Sequence, residues 1–339
     1  MDQQPNHALP GPRHLARTTC DIRVVIYGRH SDDWMAALGP GAPVWRYLPR
    51  VAEIVEVADA GAAATLASCR GHQRTVIIPL LENHIRTCPP NAHALIAPPA
   101  IIDLLASKSA FAAHLEAHNL AALAPLRFQT AAHAQFPCVI KRTNLNAGQG
   151  VAIADDRAKL DRLLQQEMWR GQDVVLQEWI PGDTECVTHC LCKDGRILWH
   201  ASFAYPMGDQ PVVRCPANSR QIHSVRTPAA ALAAFEAILR PLAYTGPCNI
   251  DHKILPNGQI KIFEINPRLG GSLLRPATTR HLAALLSCLL DTALTGAPSR
   301  SASVWAYRLR SWIECRKDEL MLKRAQRAAK ALRTRPPAR

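Results

Sequence analysis

The sequence predicts a protein of mixed α/β and α+β class, on three observations. Short apolar runs alternate with Ala-rich helical segments as far as residue 106, the pattern of a small open parallel sheet. From Val174 to Ser272 the chain turns β-rich, with Pro228 to Leu242 as its helix. Two turn dipeptides, Asp194-Gly195 and Asn257-Gly258, punctuate that run and mark antiparallel hairpins.

With 339 residues, 48% of them hydrophobic, the chain can bury one large core or several smaller ones, and its length suggests about two or three domains. The start lacks the apolar stretch of a secretory signal, and the longest plain apolar run, near Leu282 to Leu290, is too short to span a bilayer. A cytoplasmic location is the expectation. The 11 cysteines are odd in number and scattered, with no Cys-x-x-Cys pair, so reduced structural thiols are expected. Cys186, Cys190 and Cys192 cluster, but alternate residues of a strand share a face with or without a metal. Of the net charge of +13, residues 308–339 supply eleven Lys/Arg against three Asp/Glu, while the body carries 29 against 24. A basic terminus of this kind is a solvated helix face or tail, so nucleic acid is not an expected partner. Leu309, Ile313 and Leu320 make a partial apolar stripe there, suited to a partner or an acidic surface.

Residues 1–20, with Pro5, Pro10, Gly11 and Pro12, read as a loose leader. Ile22 to Gly28 is an apolar run ending in glycine, as a buried parallel strand is before a loop. Trp45 to Val57 and Thr75 to Ile78 supply further strands, and Asp59 to Ala67 and Pro98 to Ala106 the helices. Gly28-Arg29-His30 lacks the glycine pattern of a dinucleotide fingerprint. Phe111 and Leu115 at helical spacing predict a helix opening near Lys108. Phe136 to Lys141 and Val151 to Ile153 are strands around a loop whose Gly148 and Gly150 let backbone N–H groups approach an anion. Val174 to Glu178 runs into the breaker Pro181-Gly182. The loop Asp209 to Arg226 carries Arg214, Arg220, His223 and Arg226, which with Arg275, Arg280 and His281 are candidates to hold an acidic substrate.

The most informative stretch is Cys248 to Ser272. If Asn257-Gly258 is a two-residue loop, Pro256 faces Gln259, and counting outward sets Asp251 opposite Glu264 with Asn266 diagonally beside them. Facing carboxylates repel unless something compensates. Two carboxylates and an amide carbonyl are hard oxygen ligands of the kind Mg²⁺ takes while keeping waters and substrate phosphates. Arg268, two residues past the last ligand, would meet the phosphate side of such a metal.

This segment resembles the C-terminal signature of the ATP-grasp family through Asp251, Glu264, Asn266, Pro267 and Arg268, and residues 100–290 agree with that family in the order of their motifs. The resemblance implies an ATP-grasp fold with an N-terminal Rossmann-like parallel α/β domain. It would divide the chain into a leader (1–20), that N-terminal domain (21–106), a small lobe (107–180), a large lobe with the metal site (181–297) and a basic C-terminal helix and tail (298–339). It implies ATP and Mg²⁺ or Mn²⁺, with Asp251, Glu264 and Asn266 as metal ligands and Arg268 stabilising the charge of phosphoryl transfer. Lys108, Lys141, Gly148 and Gly150 would hold phosphates, with fewer glycines in the loop than is usual, and Glu178, Trp179, Ile180 and Glu185 would face the adenosine. The implied activity is an ADP-forming ligase joining a small-molecule carboxylate, activated as an acyl phosphate, to an amine. Two other readings stand beside it: a non-catalytic nucleotide-binding scaffold, and a bicarbonate-using carboxylase with a separate biotin carrier.

Overall fold

The computed structural model describes residues 21–69, 73–143, 149–208, 211–215 and 221–297. The expected leader, Gly148, Arg220 and the basic C-terminal helix and tail lie outside these residues.

Strands β1 (Ile22–Tyr27), β2 (Val51–Val57) and β3 (Arg74–Pro79) form a parallel sheet ordered β2-β1-β3. β1 is buried at every position except Arg23, as a central parallel strand covered on both faces is. Helices α1 (Asp32–Leu38), α2 (Ala60–Ser68) and α3 (Glu82–Arg86) accompany these strands, and Asp59 caps α2 by accepting from the Ala62 N–H at 2.8 Å. The strand expected from Trp45 is shorter than its sequence suggested. Pro43–Tyr47 coils into a 3-10 turn, because the Trp45 indole N–H donates to the Leu38 and Gly39 carbonyls, both at 3.0 Å, and pulls the ring into the core.

Helices α4 (Pro99–Ala106) and α5 (Lys108–Ala117) follow, and Ser107 caps α5 through the Ala110 N–H at 3.2 Å. Strands β4 (Arg127–Phe128), β5 (Cys138–Arg142), β6 (Val151–Ala154) and β7 (Val174–Glu178) make a four-stranded antiparallel sheet ordered β4-β7-β5-β6. Helix α6 (Arg157–Gln165) covers it, closing a small core of Cys138, Ile140, Ala154, Leu160, Trp169 and Leu176.

The third sheet holds β8 (Thr184–Lys193), β9 (Arg196–Pro206), β10 (His223–Val225), β11 (Gly246–Ile254) and β12 (Ile260–Asn266) in the order β10-β9-β8-β11-β12. Helix α7 (Ala229–Leu239) packs Phe235 and Ile238 on one face beside Ile102 and Phe111 of α4 and α5. Helix α8 (Thr279–Thr295) packs Leu282 and Leu286 into one core with Phe203 of β9 and Val24 and Val76 of the parallel sheet. The parallel sheet thus shares its core with the largest sheet. Eight of the nine β11 residues are buried, so each of its polar groups needs a partner.

The Asp194-Gly195 hairpin pairs Lys193 with Arg196, with both turn residues at positive φ (50° and 72°), as a type I′ turn requires. The second hairpin differs from the expected two-residue loop. Leu255 N–H donates to the Gln259 carbonyl at 2.8 Å, leaving Pro256, Asn257 and Gly258 as a three-residue loop with Gly258 at φ +82°. Ile254 therefore pairs with Ile260, one residue out of the counted register. A bulge between Asp251 and His252 takes up Phe263 as an extra residue, after which Asp251 faces Glu264 and Asn249 faces Asn266. Among the described residues, no helix is long and apolar enough to cross a membrane.

Candidate active site

A cleft open to solvent lies between the four-stranded sheet and the β11/β12 hairpin. On its first wall, Val139 and Lys141 of β5 stand beside Ile153 and Val151 of β6 in direct register. These alternate residues share a face, giving an apolar slot with one cation at its end. Lys108, at the start of α5, adds a second cation and donates to the Thr143 carbonyl at 3.2 Å. Gly150 sits at φ +61°, and its carbonyl accepts the Arg142 N–H at 2.8 Å.

The opposite wall carries Glu185, Asp251, Phe263 and Glu264. Phe263 and Glu264 are consecutive and would point to opposite faces of a regular strand; the bulge lets both line the cleft. The Lys141 ammonium lies 5.5 Å from the Phe263 ring centroid. Burial pushes its pKa down, with Glu264 and Glu185 opposing that shift. Burial drives the Asp251 carboxyl up to about 7 even though Arg214 Nη2 stands 2.7 Å from its Oδ1, and the Glu264 charge adds to the rise. For Glu264, desolvation also opposes ionisation, but its side chain reaches solvent, and the Asn266 hydrogen bond and the Lys141 charge hold its pKa below the usual value.

The donor set fits a hard divalent cation. The Asn266 amide nitrogen donates to Glu264 Oε1 at 3.1 Å and to Asn249 Oδ1 at 3.3 Å, which turns its carbonyl oxygen away from both partners. That oxygen and two carboxylates are the ligands Mg²⁺ or Mn²⁺ accepts while completing its shell with waters and phosphate. Among the described residues, no group of three or more His, Cys, Asp or Glu could hold a metal ion, so a cation here depends on oxygens beyond the two carboxylates.

The end of β7 and the residues after it supply Glu178, Trp179 and Ile180 to the cleft. Glu178 Oε1 accepts from the Leu126 N–H at 2.8 Å and from Lys261 Nζ at 3.1 Å. Lys253, absent from the sequence expectations, donates to the Ile180 and Gly182 carbonyls, both at 3.0 Å, and lies 5.4 Å from the Trp179 ring centroid. It shares a strand face with Asp251 two residues earlier, and that parity was the signal that marked it.

Two expected residues are engaged by groups of the protein itself. Arg268 does not line the cleft: its Nε donates to Glu82 Oε1 at 3.0 Å and its Nη1 to the Leu269 carbonyl at 3.0 Å, with the guanidinium 5.9 Å from the Trp34 ring, at the seam with the parallel sheet. Arg214, expected to hold an acidic substrate, is paired with the protein's own Glu185 and Asp251. Arg275 stacks over Tyr205 at 5.8 Å, and His223 begins β10 at the sheet edge.

No family model matches the chain. No curated protein matches it either. Solved structures do. An L-amino acid ligase from Bacillus licheniformis aligns with a TM-score of 0.55 and 15% identity over 84% of this chain and 76% of that one. A D-alanine–D-alanine ligase from Bacillus anthracis aligns with a TM-score of 0.57 and 15% identity over 80% of this chain and 97% of that one. A phosphoribosylamine–glycine ligase from Thermotoga maritima aligns with a TM-score of 0.55 and 17% identity over 82% and 77%. At such identities the likeness is one of fold.

Proposed function

We propose that this chain, whose fold is that of the ATP-grasp superfamily, is an ADP-forming ligase that joins a carboxylate to an amine through an acyl phosphate. The observation that carries the reading is one cleft with two opposite walls: Lys108 and Lys141 beside an apolar slot, facing Asp251 and Glu264. A nucleoside triphosphate with a divalent cation matches that polarity. A similar structure, the D-alanine–D-alanine ligase of Bacillus anthracis, was determined in complex with ATP (TM-score 0.53, 14% identity).

In this reading Val139, Val151 and Ile153 cover one face of the base with Trp179 and Ile180 at its edge. Glu178, with Oε1 already engaged, offers its second oxygen to the exocyclic amine, and Glu185 lies toward the ribose. Lys108, Lys141 and the backbone at Gly150 hold phosphate oxygens. Gly148 has the same expected role. Asp251, Glu264 and the Asn266 carbonyl hold Mg²⁺ or Mn²⁺, which when bound neutralises triphosphate charge. Arg268, beside the loops that follow β1 and β3, holds the substrate acid and the charge of its acyl phosphate. Such loops at the carboxyl ends of parallel strands are where open α/β sheets take ligands. The carboxylate oxygen attacks the γ-phosphorus and releases ADP. The amine nitrogen then attacks the acyl carbon, expels phosphate and gives up a proton.

The test is ADP release over a panel of carboxylates, amino acids and amines with Mg²⁺-ATP. An acid and amine pair should stimulate release, and Glu264→Gln should lower it by about 100-fold or more while the protein stays folded. Wild-type turnover by Glu264→Gln would remove the acidic wall from the reaction.

A further inference from the structure

Arg214 stands between two acids that the nucleotide and metal reading needs. Its Nη2 lies 2.7 Å from Asp251 Oδ1 and its Nε 3.0 Å from Glu185 Oε1. The guanidinium plane rests on Tyr205, 4.6 Å from the ring centroid, and Val212, Val213 and Arg214 line the cleft in succession. The arginine is therefore a built part of the acidic wall, held by two carboxylates and an aromatic face. A guanidinium sharing two carboxylates and a ring is a pre-organised contact that a flexible ammonium would not reproduce.

We propose that Arg214 competes with the divalent cation for Asp251 and so makes cation binding depend on the nucleotide. The inference rests on Asp251 being a metal ligand. A carboxylate oxygen that accepts a guanidinium N–H at 2.7 Å cannot also ligate a dication without bringing two positive centres into contact. A cation arriving alone on that oxygen has to displace the guanidinium, which then keeps Glu185 as its one carboxylate partner in the wall. A cation arriving with a triphosphate brings an anion to which the guanidinium can turn while Tyr205 keeps it in the cleft. Arg214 thereby holds free cations off the site and admits the metal–nucleotide complex.

Mn²⁺ serves as the probe, read by the paramagnetic resonance signal of the free ion, with and without a non-hydrolysable ATP analogue. Wild type should bind Mn²⁺ weakly alone and far more tightly with the analogue. Arg214→Gln should bind Mn²⁺ alone about tenfold more tightly, and the enhancement by the analogue should shrink by a similar factor. Arg214→Lys should fall between, and it carries the test if the glutamine variant does not fold. Unchanged or weaker Mn²⁺ binding by the folded variant overturns the inference. Asp251→Asn separates this failure from that of the underlying reading: undiminished Mn²⁺ binding in the presence of the analogue removes Asp251 from the metal site altogether. Loss of binding in Asp251→Asn with no gain in Arg214→Gln defeats the Arg214 inference alone.

Discussion

The two walls of the cleft are packed differently. The cationic wall is a four-stranded sheet with one helix and a core of Cys138, Ile140, Ala154, Leu160, Trp169 and Leu176. The acidic wall is a five-stranded sheet covered on one face by α7 with α4 and α5, and on the other by α8 with the parallel sheet. Local opening costs least where few apolar contacts are buried. The difference teaches which wall must be rigid. Two carboxylates in direct register repel, so the strands that hold them need a full core, whereas Lys141 rides on a sheet with a smaller one.

The sharpest way to break this contrast is to weaken each core in turn. Phe235→Ala should cost about 3–5 kcal/mol and accelerate amide exchange throughout the five-stranded sheet, while Leu160→Ala should cost about 2–4 kcal/mol with exchange rising first in residues 127–178. Equal acceleration in both sheets from either change would show that the walls open as one unit. At the cleft itself, Lys141→Met should weaken binding of an ATP analogue by about 100-fold, about 2.7 kcal/mol, measured by calorimetry. Its melting temperature should hold or rise, because burial already disfavours the Lys141 ammonium. A fall in melting temperature would make Lys141 a structural member of its sheet.

The smallest effect separates the walls by pH. His189 and His252, in β8 and β11, are held neutral by burial, with pKa values pushed down to about 3 and about 4 from 6.5. Below about 6.5 the unfolded chain binds protons that the folded chain refuses, so their contribution to stability is lost as pH falls. At pH 5 each costs about 2 kcal/mol relative to neutral pH. Asp251, pushed up to about 7, acts in the opposite direction, since its folded form binds the extra proton and gains stability on acidification. His189→Gln should therefore lose about 2 kcal/mol less than wild type between pH 7 and pH 5, measured by denaturant unfolding. Parallel pH profiles for the two proteins would assign the acid sensitivity elsewhere.

The hairpin shows how far the sequence could be read. Counting from Asn257-Gly258 set Asp251 opposite Glu264, and the two are paired. The route was different: a three-residue loop shifts the register by one, and the bulge at Phe263 shifts it back. Turn chemistry at Gly258 was legible, because a positive φ is a local demand. The bulge was not, because an extra residue is accepted only where the neighbouring sheet and cleft reward its side chain. Lys253 was within reach of the period-2 pattern through Asp251 and was missed; its carbonyl partners lie 73 and 71 residues earlier.

By itself the sequence determined the alternation of strands and helices, the Asp194-Gly195 and Asn257-Gly258 turns, and which stretches carry Lys108, Lys141, Asp251 and Glu264. These follow from side-chain period and backbone preference over a few residues. Only the tertiary structure decided that α8 and the parallel sheet share one core, that Arg268 turns to Glu82 186 residues away, and that Arg214 turns to Asp251 and Glu185. An arginine carries no local mark of its partner, since any carboxylate within reach will satisfy it. Which carboxylate comes within reach is settled by how the sheets pack, and that depends on apolar residues far from either charge in the chain.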